Sequence, residues 1–139
     1  MKVVTKRIGL KTKGEMDIID ITNEVASAVR AEGVRNGIVT VFVPGSTGGV
    51  TTIEYEPGLL KDFPAMLERI APRSIVYGHE KRWHDGNGHS HVRASLLGPS
   101  ITIPFEVGRL TLGTWQQLVF VEFDIRSRTR ELVIQIMGE

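Results

Sequence analysis

Strand-forming segments in this chain come in runs instead of alternating one for one with helices, and that order narrows the fold more than any other feature of the sequence. Gly37–Pro44 (GIVTVFVP) is dense in β-branched residues, which suit a pleated, half-buried surface. The glycine-rich break PGSTGG at 44–49 follows, and then a further strand, Val50–Tyr55 (VTTIEY). Towards the C-terminus come Ser100–Val107, a turn at Gly108-Arg109, the long stretch Leu110–Phe123 and a closing strand, Leu132–Met137. Leu110, Leu112, Leu118, Phe120 and Glu122 share one phase of that long alternation and so one face. Lys2–Leu10, Met16–Ile19 and a short Ser74–Tyr77 complete the strands, with a turn at Gly14. Thr22 is expected to N-cap a first helix, with Asn23 and Glu24 in its opening turn. Val25, Ala28 and Val29 make its apolar face before Gly33 stops it. A second helix lies in PGLLKDFPAMLERIAP and starts near Pro64 or kinks there, because proline removes a helical hydrogen bond. HVRASLL adds a helical turn that Gly98 ends. Roughly eight short strands and two main helices, grouped in this way, predict an α+β fold with a largely antiparallel sheet.

The 139 residues fit a single domain, 1–139. The absence of cysteine excludes disulfides, thiolate zinc sites, iron–sulfur clusters and cysteine nucleophiles. Seventeen basic residues against sixteen acidic ones leave a formal charge of +1, short of the basic excess of a dedicated nucleic-acid binder. MKVVTKRIGL lacks the apolar core of a signal peptide, and no run approaches the ~18 apolar residues of a membrane span. A soluble, cytoplasmic protein with no membrane partner is expected.

All four histidines, His79, His84, His89 and His91, fall in one stretch, HEKRWHDGNGHSH. If the backbone there is extended, His89 and His91 point to the same side and can grip one metal ion. His79 can return as a third ligand, leaving an open position, as in catalytic zinc sites. Asp85, Glu54 and Glu122 are candidates for a carboxylate ligand, a partner that orients one, or a general base. Gly86 and Gly88 let the loop close tightly. His84 reads as a plain loop residue. The alternative is a polar surface loop with solvated histidines.

Trp83 either stacks on a flat ligand or covers a core edge, and Trp115 is expected in the core. PGSTGG offers a phosphate cradle, with Ser46 and Thr47 adding hydroxyls, or simply a tight hairpin; neither GxxxxGK[ST] nor GxGxxG is present. Arg126, Arg128 and Arg130 alternate in RSRTR and would share one strand face, either as a phosphate or acidic-partner site or as a solvated edge strand.

Three segments together carry a resemblance: GHSHVRASLLGPS (88–100), GRLTLGTWQQLVFVEFD (108–124) and RTRELVIQIMGE (128–139). The chain resembles the YjbQ-like family of small proteins, whose members are described as secondary thiamine-phosphate synthases. The resemblance implies a compact α+β domain with a β-sandwich-like core, a homotrimer, and a site between subunits near the start of a histidine-bearing helix. His91 matches the family's histidine before a (K/R)-x-S-x-x-G segment, here Arg93, Ser95 and Gly98. His79 matches the one after Tyr77-Gly78. Glu54 and Asp62 match the acidic residues after the glycine-rich turn, and Thr114 and Gln116 fall in the LGTWQ block. One departure stands out: many members carry a histidine in an H-T-(S/T)-A turn, and this chain has Gly45-Ser46-Thr47-Gly48 there, so His89 or His84 is a candidate to compensate.

The implied reaction joins a pyrimidine methyl diphosphate to a thiazole phosphate and releases pyrophosphate. Glu54, Asp62, Asp85 and Gln116 are the expected catalytic residues; Trp83, Arg93, Ser95, Thr114 and Arg126 the expected phosphate-bearing substrate's contacts; and His79, His89 and His91 the ligands of a divalent metal, zinc by their chemistry. The competing readings are a zinc-dependent hydrolase or lyase, with Glu54 or Asp85 as base, and a non-catalytic trimeric protein that binds a metal or anion.

Overall fold

The computed structural model describes residues 1–139 and runs β1 (Lys2–Lys11), β2 (Ile18–Asp20), α1 (Thr22–Ala31), β3 (Gly37–Phe42), β4 (Gly48–Ile53), α2 (Leu59–Ile70), α3 (Gly78–Trp83), α4 (Gly88–Leu97), β5 (Ser100–Glu106), β6 (Arg109–Leu110), β7 (Gln117–Glu122) and β8 (Thr129–Gly138). Two antiparallel sheets form, one ordered β1-β8-β3-β5-β6 and one ordered β2-β7-β4. The α+β, sandwich-like reading holds.

Alternation explains the layers. On β8, Leu132, Ile134 and Ile136 point inward against Leu118 and Phe120 of β7, joined by Val39 and Val41 of β3 and by Val25 and Val29 of α1. The intervening residues of β7 point the other way. Val119 and Val121, with Phe123, pack on Leu67 of α2 and Ala94 of α4. A central strand covered on both faces needs a continuous apolar run, which LVFV (118–121) supplies.

The differences from expectation have local causes. There are four helices, not two. The polar stretch before His91 is helical: α3 has no apolar periodicity to announce it, and α4 starts at Gly88. Ser74–Tyr77 is irregular, not a strand. The long stretch Leu110–Phe123 breaks into β6 and β7, because Gly113 lies in the connecting turn. Pro64 lies inside α2, neither starting nor ending it. Thr22 does not cap α1 from outside. It is the first helical residue, and its hydroxyl donates to Asp20 Oδ1 at 2.6 Å. Trp115 is 74% exposed and Trp83 63%, so neither is a core residue.

PGSTGG is not a hairpin, since β3 and β4 belong to different sheets and the turn carries the chain between them. RSRTR is not an edge strand. Arg126 lies in the bend before β8, and β8 is central, between β1 and β3. Glu122 of β7 and Arg130 of β8 face each other across the gap between the sheets, 0% and 5% exposed, with Arg130 Nη2 2.5 Å from Glu122 Oε2. Arg130 Nε also donates to Glu122 Oε1, which accepts from the Thr12 hydroxyl as well. Glu122 is thus the buried partner of an arginine and is closed to a metal or a substrate proton.

Candidate functional site

The helical backbone redistributes the histidines. Residues two apart on a helix point about 200° apart, so His89 and His91 face opposite sides of α4. His89 turns inward and is 1% exposed, with Nε2 2.8 Å from Glu15 Oε1. Arg93, one turn on, is equally buried. Its Nη1 lies 3.3 Å from the same Glu15 oxygen, its Nη2 2.7 Å from Glu68 Oε2, and its Nε donates to the Ala71 carbonyl. Arg73 closes the group on Glu15 Oε2 at 3.0 Å. His89 and Arg93 therefore anchor α4 to the β1–β2 connection and the end of α2. Neither occupies the ligand or substrate position expected of it.

His91 faces outward to α3, and its ring lies 4.3 Å from that of His79, centroid to centroid, at an interplanar angle of 36°. Burial first, and then the neighbouring His79, hold the His91 imidazole below the usual histidine range, which favours its neutral form. His79 Nδ1 is 3.2 Å from Asp85 Oδ1, yet it makes no aligned hydrogen bond. Ligand atoms of His79, Glu80 and Asp85 all lie within 4.8 Å of one another. Glu80 Oε1, Asn87 Oδ1 and Ser90 Oγ are also buried without a partner. Every unpartnered buried side-chain atom of the chain thus lies between residues 79 and 90, and buried polar groups ordinarily find partners.

Backbone geometry builds this corner. His84 takes the left-handed conformation, φ 56°, as the C-cap of α3, and Gly86 follows at φ 72°. His84 thus terminates α3 and is exposed. Gly88 lets α4 start against Tyr77, because a Cβ there would stand 2.6 Å from the Tyr77 Cβ. Behind the corner, Asn87 Nδ2 donates to Asp124 Oδ1 at 3.4 Å, and Arg128 Nη1 lies 2.5 Å from Asp124 Oδ2. Burial pushes the Asp124 carboxyl up, but the hydrogen bonds from Arg128, the Ile125 N–H and Asn87 outweigh it and hold the group below the usual carboxylate range.

The remaining expected residues lie elsewhere. Glu54 and Thr114 line an open hollow of about 390 Å³ with Asp20 and Trp115. Asp62 borders another hollow, between β4 and α2. Gln116 donates to Thr52 Oγ1 at 3.1 Å. These four gather near Gln117, where β7 begins, whereas Asp124 follows its end. The rise of a strand puts about 20 Å between the two groups within one chain. Ser95 is exposed and its hydroxyl donates to the His91 carbonyl, a bond within α4. Arg126 is exposed at the bend. Trp83 lines an open surface hollow with Gly78, Lys81 and Arg82, with the Arg82 guanidinium 5.5 Å from its ring centre.

Sequence reasoning missed Glu80, Glu15, Asn87 and Asp124. Glu80 adjoins His79 in sequence, and only the helical backbone joins it to Asp85. Glu15, far from the histidines in sequence, gives no local signal.

The sequence profile of the family described as "UPF0047 protein YjbQ-like" matches residues 6–139. The chain belongs to this family. A UPF0047 protein of Methanothermobacter thermautotrophicus is 40% identical over 139 residues, covering 100% of this chain and 95% of the relative. The UPF0047 protein YugU of Bacillus subtilis is 36% identical over 135 residues, 96% of this chain and 98% of YugU. Among solved structures, a YbjQ-like protein of unknown function from Sulfolobus solfataricus superposes with a TM-score of 0.94 at 33% identity, covering 99% of each chain. A YjbQ/UPF0047 protein of Clostridium acetobutylicum gives 0.86 at 38%, covering 95% of this chain and 99% of that one. The UPF0047 fold therefore extends over the whole chain, including the α3–α4 corner.

Proposed function

We propose that this UPF0047 protein is a metal-dependent enzyme acting on a phosphate-bearing small molecule, in the manner of a secondary thiamine-phosphate synthase. One observation carries the metal: His79 Nδ1 and Asp85 Oδ1 are 3.2 Å apart without hydrogen-bond alignment, beside an unpartnered Glu80 Oε1. Two ligands of one ion at bond lengths of about 2.0–2.2 Å stand at about this separation. The donor set fits a divalent ion, with His79, Glu80 and Asp85 as ligands and His91 beside them. A bound ion supplies charge neutralisation for a leaving phosphate.

The chain's own groups do the rest. Neutral His91 is available to accept a proton, and Asn87 Oδ1 is a free acceptor that orients a donor on the substrate. Trp83 and Arg82, on the helix that carries two ligands, offer a flat face and a cation next to the site. The homotrimer belongs to the same proposal. A site between subunits would let the Glu54, Asp62, Thr114 and Gln116 group of one copy approach the histidines of the next, which a single chain does not do.

A second reading is favoured by the ligand chemistry. An imidazole in the set suits a zinc-like ion, whereas pyrophosphate chemistry commonly uses magnesium, which prefers oxygen ligands. This supports a zinc-dependent hydrolase. The test is elemental analysis of untagged protein, sedimentation for the assembly, and an assay of pyrophosphate release from the two thiamine precursors. Bound zinc without pyrophosphate release favours the hydrolase. No metal before or after zinc addition removes both readings.

A further inference from the structure

The turn Pro44–Gly48, at the end of β4 nearest Asp124, has donors and no acceptors for them. The backbone N–H groups of Gly45, Ser46 and Thr47 make no hydrogen bond within the chain, although Thr47 is only 5% exposed. Behind the turn stands Arg130, also 5% exposed. Its Nε is used by Glu122, and its Nη2 by Glu122 and Thr47. Its Nη1 has no partner in the protein, and it faces Gly45, where a Cβ would meet it at 3.1 Å. Gly45, at φ 126°, has no side chain to fill that space.

We infer that this turn is an anion subsite for a tetrahedral phosphoryl group. Three successive N–H groups without partners are donors that an anion can satisfy, and a buried guanidinium adds charge from below. Only one nitrogen of Arg130 is free, so the two-nitrogen fork that matches a planar carboxylate is not on offer. Single donors arriving from several directions match the separate oxygens of a phosphoryl group. The carboxylates nearest the turn are already matched by cations: Asp124 by Arg128 and Glu122 by Arg130. Ser46 is exposed, so its hydroxyl is free to add a donor at the rim. The phosphoryl group can belong to a free ion or to an organic ester.

The subsite does not depend on a metal, so it is tested in EDTA. Inorganic phosphate and phenyl phosphate are titrated into the full chain at constant ionic strength and followed by amide and guanidinium NMR. Saturable shifts centred on Gly45, Ser46, Thr47 and the Arg130 side chain are expected with phosphate, with acetate much weaker. Equal or tighter binding of phenyl phosphate assigns the subsite to the end of an organic ester, and phosphate alone assigns it to the free ion. Ser46→Glu places a like charge on an exposed rim and should raise the dissociation constant at least about tenfold without changing the melting temperature. Asn23→Glu, exposed on α1 beside the opposite end of β7, should leave it unchanged. Shifts that are absent at the turn, that acetate reproduces, or that survive Ser46→Glu would overturn the inference. Failure to bind zinc would leave it standing.

Discussion

His89 Nε2 and Glu15 Oε1 lie 2.8 Å apart, and this buried contact fastens α4 to the connection between β1 and β2. Its consequence is positional, since the rotation of α4 that buries His89 turns His91 outward to His79. Removing the Glu15 carboxylate leaves His89 and Arg93 buried with fewer partners. Glu15→Ala should therefore destabilise the protein by about 3 kcal/mol, the lower end for a broken buried pair because Arg93 keeps Glu68. Urea unfolding measures it, and a change under about 0.5 kcal/mol, the ordinary range of surface substitutions, would remove the anchoring role.

Metal affinity should separate the histidines. His79→Ala and Asp85→Asn each delete a proposed ligand and should weaken zinc binding by at least about a hundredfold, the upper range seen when only a supporting residue is lost. His89→Ala should lower stability but keep the metal stoichiometry, since its ring faces Glu15. Calorimetric titration with zinc on the three variants decides it. Loss of zinc in His89→Ala alone, with the fold intact, would restore the ligand set expected from extended backbone.

The sheets were legible in the sequence because their signal is local. GIVTVFVP and LVFVEF carry β-branched and aromatic residues over the length of a strand, and both contain one. The α3–α4 corner was not legible for the same reason. GHEKRW has one large apolar residue and no periodicity, so its helix is set by the cap at His84 and by packing on α4, which no window of sequence displays. Once that backbone is helical, a two-residue spacing reverses its meaning, and His89 and His91 part. Trp115 misled for another reason. A tryptophan in an apolar neighbourhood is ordinarily packed, whereas the turn before β7 holds this one out, 74% exposed.

Glu122 and Arg130 should prove costly to separate. The pair joins the two sheets at 0% and 5% exposure, and Thr12 and Thr47 complete its hydrogen bonds. Glu122→Ala strands a buried guanidinium and should cost about 3–5 kcal/mol. Glu122→Gln keeps the acceptor oxygen and removes the charge, so a smaller loss is expected. Denaturant midpoints for both variants test the order, and equal losses would mean that the ionic component contributes nothing.

Stability should fall towards acid in two separate steps. His91 has a folded pKa below its ordinary 6.5, so the unfolded chain takes up a proton that the folded chain refuses. Stability from this group is complete above about pH 6.5 and declines as pH falls from there to the folded value. Asp124 also has a depressed folded pKa, below 3.8, but it is a carboxyl stabilised in its charged form. Its contribution is complete above the unfolded value and is lost as pH falls through the folded one. Urea midpoints in EDTA from about pH 7.5 to about pH 3 should show both limbs. His91→Asn should flatten the upper limb and leave the lower, and Asp124→Asn should do the reverse. A His91→Asn profile parallel to the wild type between about pH 7 and pH 5 would mean that the imidazole titrates freely and that the corner around His79 is open to water.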